Sequence, residues 1–131
     1  MTLKNFNKAK NFYKNSEKSA INSQDPIAVV KTMVTELKRS MDKVVLSTGI
    51  DNQRQLRTKY FSRSLVIIYT LQTTLDFDNG KDLAIKLFQI YEFCRQQLIK
   101  CFREEIIEGL KKAMGALEEI FGMARMNADA K

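Results

Sequence analysis

Apolar residues recur along this chain at alternating spacings of three and four, the period of a helix with one buried stripe. From Tyr60 to Phe102 the pattern builds two long arms around one polar corner, Asp76-Phe77-Asp78-Asn79-Gly80. On the second arm the stripe is Ala84, Leu87, Tyr91, Cys94, Leu98 and Cys101. On the first arm Leu65-Val66-Ile67-Ile68-Tyr69 is apolar almost all the way round. Such a helix needs cover on more than one side, from at least two further helices or from a bound ligand.

The remaining chain supplies those helices. Asp25-Pro26 is a start signal, with Asp25 able to cap and Pro26 at the first helical position, where no amide hydrogen is needed. The helix it opens carries Ile27, Val30, Val34, Leu37, Met41 and Val44 in strict alternation and stops near Gly49. A second helix follows Asp51-Asn52 and runs through Leu56, Tyr60 and Ile67 to Leu75. Asp78 or Asn79 caps the third, expected from Lys81 to about Cys101. Beyond it the apolar spacing continues without a marked stop through Ile106, Leu110, Ala113, Leu117, Ile120 and Ala124. One helix of more than roughly 40 residues is too long for a compact domain. Acids favour a helix N-terminus, so Glu104, Glu105 and Glu108 place the expected break at Phe102 to Arg103.

The fold expected is all-α: an antiparallel four-helix bundle over residues 23–126, with Leu87, Leu98, Leu110 and Leu117 in its core. A short N-terminal arm or helix, residues 1–22, precedes it, and a disordered tail, 127–131, follows. The arm has five lysines against one acid, with Leu3, Phe6, Ala9 and Phe12 or Tyr13 at helical spacing. It is too short to fold alone, and is either a movable arm docking an aromatic in a groove or a solvated terminus.

Length and composition agree with a single helix-rich domain: 131 residues, 44% hydrophobic, one Pro and five Gly. No apolar run approaches the ~20 residues of a membrane span. The opening residues MTLKNFNKAK lack the apolar core of a secretory signal. A cytoplasmic protein without stable membrane insertion is expected. Cys94 and Cys101 stand one heptad apart, ~10 Å along a helix, too far for a disulfide, and read as buried thiols.

Candidate chemistry is sparse. The chain has no His, which removes the commonest general base and metal ligand. Neither cysteine has a His to activate it, and they lack the paired spacing of a zinc site. Asp76, Asp78 and Asp82 fail the calcium-loop pattern, which needs Gly at its sixth position and Glu at its twelfth; counted from Asp76 these are Lys81 and Leu87. An enzyme, a metal or a cofactor is not expected. Charge is uneven: residues 1–63 hold 13 basic against 5 acidic side chains, and residues 64–131 hold 9 against 10. Glu36 and Asp42 interrupt the basic run of Lys31, Lys38, Arg39 and Lys43, and no groove-reading motif accompanies it. Nucleic acid is therefore not an expected partner, although a basic helical adaptor or nucleic-acid-binding protein stands as the alternative.

The stretch from Thr74 to Phe93, TLDFDNGKDLAIKLFQIYEF, resembles a signature of the FliS-type flagellar export chaperones: a Leu-Asp corner, a Gly, Leu/Ile-Ala, a Leu and a Tyr-x-Phe pair. Asn11-Phe12-Tyr13 is similar to the family's Asn-x-Tyr arm motif, and Asp25-Pro26 stands where the family has Ser-Pro or Thr-Pro. The resemblance implies an antiparallel bundle whose apolar grooves accept the disordered C-terminal segment of flagellin, preventing premature polymerisation and aiding export. It also implies docking at the flagellar export gate, with a homodimer left open. The arm's Phe12 and Tyr13 would occupy part of the groove when the client is absent. The other client-binding candidates are Ile68, Leu71 and Leu75, on the over-apolar helix, and Tyr91. At Val34-Thr35-Glu36 the chain departs from the family's aromatic-Asp-Gly, which leaves open whether the client is ordinary flagellin or a divergent one.

Overall fold

The computed structural model describes residues 26–122. The arm with Phe12 and Tyr13, the capping position Asp25, and the tail with Ala124 lie outside the described residues. Within them the chain forms four α-helices: α1, Pro26–Ser47; α2, Arg54–Thr73; α3, Phe77–Glu104; and α4, Glu108–Phe121. A 3-10 turn, Asp51–Gln53, leads into α2, and no strand occurs among the described residues. Each helix packs against the one before it and α4 packs back on α1, closing a ring of four. Successive helices are antiparallel, as their short connections require. The rings of Phe61, early in α2, and Phe102, late in α3, accordingly stack with centroids 4.1 Å apart.

The expected stripes form the core, with instructive exceptions. Val34, Leu37, Met41 and Val44 of α1 are fully buried, together with Leu98, Leu110 and Leu117. Met33, Ser40 and Ser47 are buried as well, because α1 packs against both α2 and α4 and two neighbours cover a wider arc than one stripe. Ile27 is exposed, and Leu87 only packs against the edge of the core. The over-apolar segment of α2 is covered from two sides as expected: Val66, Ile67 and Ile68 are buried, and α2 contacts both α1 and α3.

The connections explain where helices stop. Gly49, at φ +80°, turns the chain after α1, and Arg57 of α2 donates to the carbonyl of Ser47 at 2.7 Å, satisfying one orphan acceptor of that helix end. Asp76, rather than Asp78 or Asn79, caps α3, accepting from the Asn79 amide at 3.1 Å. The first turn, Phe77 to Gly80, is set off from the rest of α3 by non-helical backbone at Lys81. The break between α3 and α4 falls at Glu105 to Ile107, about one turn beyond the expected place. Glu104 ends α3 and Glu105 is its C-cap in the left-handed region, so only Glu108 meets a helix N-terminus. Ile106, part of the expected stripe, is exposed in that link.

Candidate functional site

Helix α3 carries more apolar residues than one seam can hide. Leu83, Ala84 and Ile85 are consecutive, and successive helical residues point about 100° apart, so at most part of the run can face the core. Ala84 takes the inward position; Leu83 and Ile85 remain 58% and 48% exposed. One turn on, Phe88 shares the Ile85 flank, and it too is exposed. Its ring lies 6.1 Å from that of Phe77, tilted by 57°, a contact that links the first turn of α3 to the helix body.

This flank lies on the α2 side of α3. Gln72 of α2 reaches across it, its side-chain amide donating to the Phe88 carbonyl at 3.4 Å and to Glu92 Oε1 at 3.3 Å. Tyr69, three residues before Gln72 on the same side of α2, is 52% exposed. Half-buried Leu75 packs against the core at the same corner. Arg95 holds Glu92 from the other side, its Nε donating to Oε1 at 2.9 Å. The Arg95 guanidinium, and to a lesser degree Gln72, hold the Glu92 carboxyl down at about 2. The result is an exposed apolar strip of Phe77, Ile85 and Phe88 continued by Tyr69 beyond the polar bridge of Gln72 and Glu92, with Leu83 on the opposite flank of α3.

The other residues expected to meet a client sit differently. Ile68, Leu71 and Tyr91 are buried in the core cluster. In this conformation they cannot touch a client directly; they back the strip from inside. Burial raises the Tyr91 hydroxyl well above its ordinary range, so it stays protonated. Cys94 is likewise pushed up to about 12 by desolvation, which leaves an inert thiol; Cys101 is also free and buried. Sequence reasoning missed Tyr69, Phe77, Leu83, Ile85 and Phe88. The signal was the Leu83-Ala84-Ile85 run, which overfills its stripe as Leu65 to Tyr69 does. There, however, α1 and α3 cover Leu65 to Ile68 and leave only Tyr69 exposed.

The family model described as Flagellar protein FliS matches residues 9–123. The chain belongs to the FliS family. No curated protein and no solved structure matches it. FliS-family proteins are flagellar export chaperones, and an exposed apolar strip on a rigid bundle is what chaperoning a secreted chain asks of its surface. Among the described residues of this FliS-family chain, no helix is long and apolar enough to cross a membrane.

Proposed function

We propose that the protein is a cytoplasmic secretion chaperone that binds the disordered C-terminal segment of a flagellin, keeps it from polymerising early and delivers it to the export gate. The observation that carries this reading is the strip of Tyr69, Phe77, Ile85 and Phe88, exposed on a chain of a flagellar chaperone family. A disordered segment gains its folding energy from the surface it lands on, by laying an amphipathic face into an apolar groove. Leu83 extends the contact round α3, and Leu75 forms its floor at the corner. Phe12 and Tyr13 of the arm occupy the same strip when no client is bound. Chaperoning of this kind needs neither bond cleavage nor a cofactor.

Calorimetric titration with a flagellin C-terminal peptide tests the reading. Phe88→Asp places an unpaired charge in the strip and is expected to weaken capture tenfold or more, with the helical circular dichroism signal unchanged. Capture by Phe88→Asp and Ile85→Asp variants at the parental affinity would remove the strip from the client site.

A further inference from the structure

The apolar strip is interrupted. Phe77, Ile85 and Phe88 lie on one side of the polar bridge that Gln72 makes to α3, and Tyr69 lies on the other. A segment that covers both parts has to cross the bridge, so Gln72 is part of what it meets.

The two ends of the Gln72 amide are placed differently. Its nitrogen donates to the Phe88 carbonyl at 3.4 Å and to Glu92 Oε1 at 3.3 Å. Both partners can only accept, which fixes the nitrogen towards α3 and turns the side-chain carbonyl, Oε1, away from it. Among the described residues no donor reaches that oxygen. Gln72 is half-buried, yet Oε1 stays open to water. Behind the bridge Arg95 holds Glu92, its Nε donating to Oε1 at 2.9 Å and its Nη2 to Oε2. The acceptor is therefore offered in one place, with little conformational freedom left to lose when a partner arrives.

An apolar side chain laid over the bridge strips water from Gln72 Oε1 and returns nothing, whereas a donor replaces that water. A site that hydrogen-bonds its ligand rejects an analogue lacking the bond far more strongly than an apolar pocket rejects one of the wrong size. A client lying as a helix pairs its backbone amides internally, so the donor has to be a side chain. Arg95 already balances Glu92, which disfavours a second cation, and a carboxylate only accepts. Neutral amides and hydroxyls remain.

We propose that Gln72 is a specificity-determining residue of the client site: its side-chain carbonyl selects segments that carry Asn, Gln, Ser or Thr between the apolar residues covering Phe88 and Tyr69. The inference rests on the client reading above. Glu92 is a positioning residue, acting through Gln72.

Calorimetric titration of the full chain tests it, with the flagellin C-terminal peptide and a set in which each Ser, Thr, Asn or Gln is replaced singly by Ala, Val, Leu or Met of similar size. Gln72→Met keeps the bulk of the side chain and removes the acceptor. At one peptide position the replacement should weaken capture by the parental chain roughly tenfold and change capture by Gln72→Met less than about twofold. Changes in the peptide's own helicity act on both chains alike and cancel in the ratio. Glu92→Ala keeps the acceptor but frees it to swing, and should discriminate at that position less than the parent and more than Gln72→Met. Discrimination by Glu92→Ala equal to the parent's would overturn the positioning role. Should Gln72→Met lose its helical signal, Gln72→Ala is read by the same criterion. Equal ratios at every position, with the parental peptide still captured, would overturn the assignment of Gln72 and leave the client reading standing. No capture of the peptide by the parental chain would overturn both.

Discussion

Lys81 adopts φ 46°, ψ −120°, a backbone conformation that costs a residue with a Cβ of order 1–3 kcal/mol and a glycine far less. Lys81→Gly is therefore expected to raise stability by about 1 kcal/mol, after the loss from a more flexible unfolded chain, as read by denaturant unfolding. Ser40 shows a different cost: it is buried on α1 and its hydroxyl has no hydrogen-bond partner. Ser40→Ala should be neutral or stabilising by up to ~1 kcal/mol, because it removes an unsatisfied polar atom from the core. At Glu92 the effect appears in pH. Its folded carboxyl titrates at about 2, below the ordinary 4.5, so the unfolded chain takes up the proton first. The stabilisation is present above about 4.5 and lost as pH falls towards about 2. Glu92→Gln should lower the melting temperature at neutral pH, and the gap from the parent should close across that acid window.

Among the elements, α3 does the most to organise the molecule, since it contacts α2 and α4 along its length and carries the strip on its free flank. Its inward seam is closely filled. Leu98 is fully buried, and Leu98→Ala is expected to cost ~2 to 5 kcal/mol in unfolding free energy. At Gly109, in the first turn of α4, an added Cβ would fall 1.9 Å from Gln97 Oε1, the movable end of a half-buried side chain of α3. Because only the end of the Gln97 side chain must swing aside, Gly109→Ala should be close to neutral, the helix propensity of alanine offsetting the rotamer change, and a Gln97→Ala change in the same chain should remove what cost remains. A double-mutant cycle of thermal unfolding checks the coupling. For the flank facing outward the expectation is the opposite: substitutions at exposed Ile85 or Phe88 should leave stability nearly unchanged and weaken client capture in calorimetry.

At the scale of the whole molecule, the described chain places exposed apolar residues at both ends of α2, the strip at the α2–α3 corner and Leu46, Ile50 and Leu56 at the turn between α1 and α2. An arm that occupies the strip lowers apparent client affinity by the fraction of time the strip is open. Tyr13→Ala is expected to leave the bundle folded and to make peptide binding equal or tighter, by ~1 kcal/mol if the arm is docked roughly 80 to 90% of the time. Weaker binding of this variant in calorimetry would mean that Tyr13 contacts the client itself.

The sequence by itself determined what depends on local periodicity and turn chemistry. The stripes of α1, α3 and α4, the stop at Gly49 and the polar corner before α3 all follow from spacing and from the conformational freedom of glycine. The motif from Thr74 to Phe93 likewise carried the family. Tertiary structure alone decided which apolar residues are surplus. Leu65 to Ile68 and Leu83 to Ile85 look equally overfilled in one dimension, but α1 and α3 bury the first run, whereas no helix of the ring covers the flank bearing Ile85. Ile68, Leu71 and Tyr91 accordingly lie inside, and Phe77, Ile85 and Phe88 form the surface. Periodicity fixes the direction a side chain takes from its own helix axis; only the packing of the other helices determines whether anything stands there to meet it.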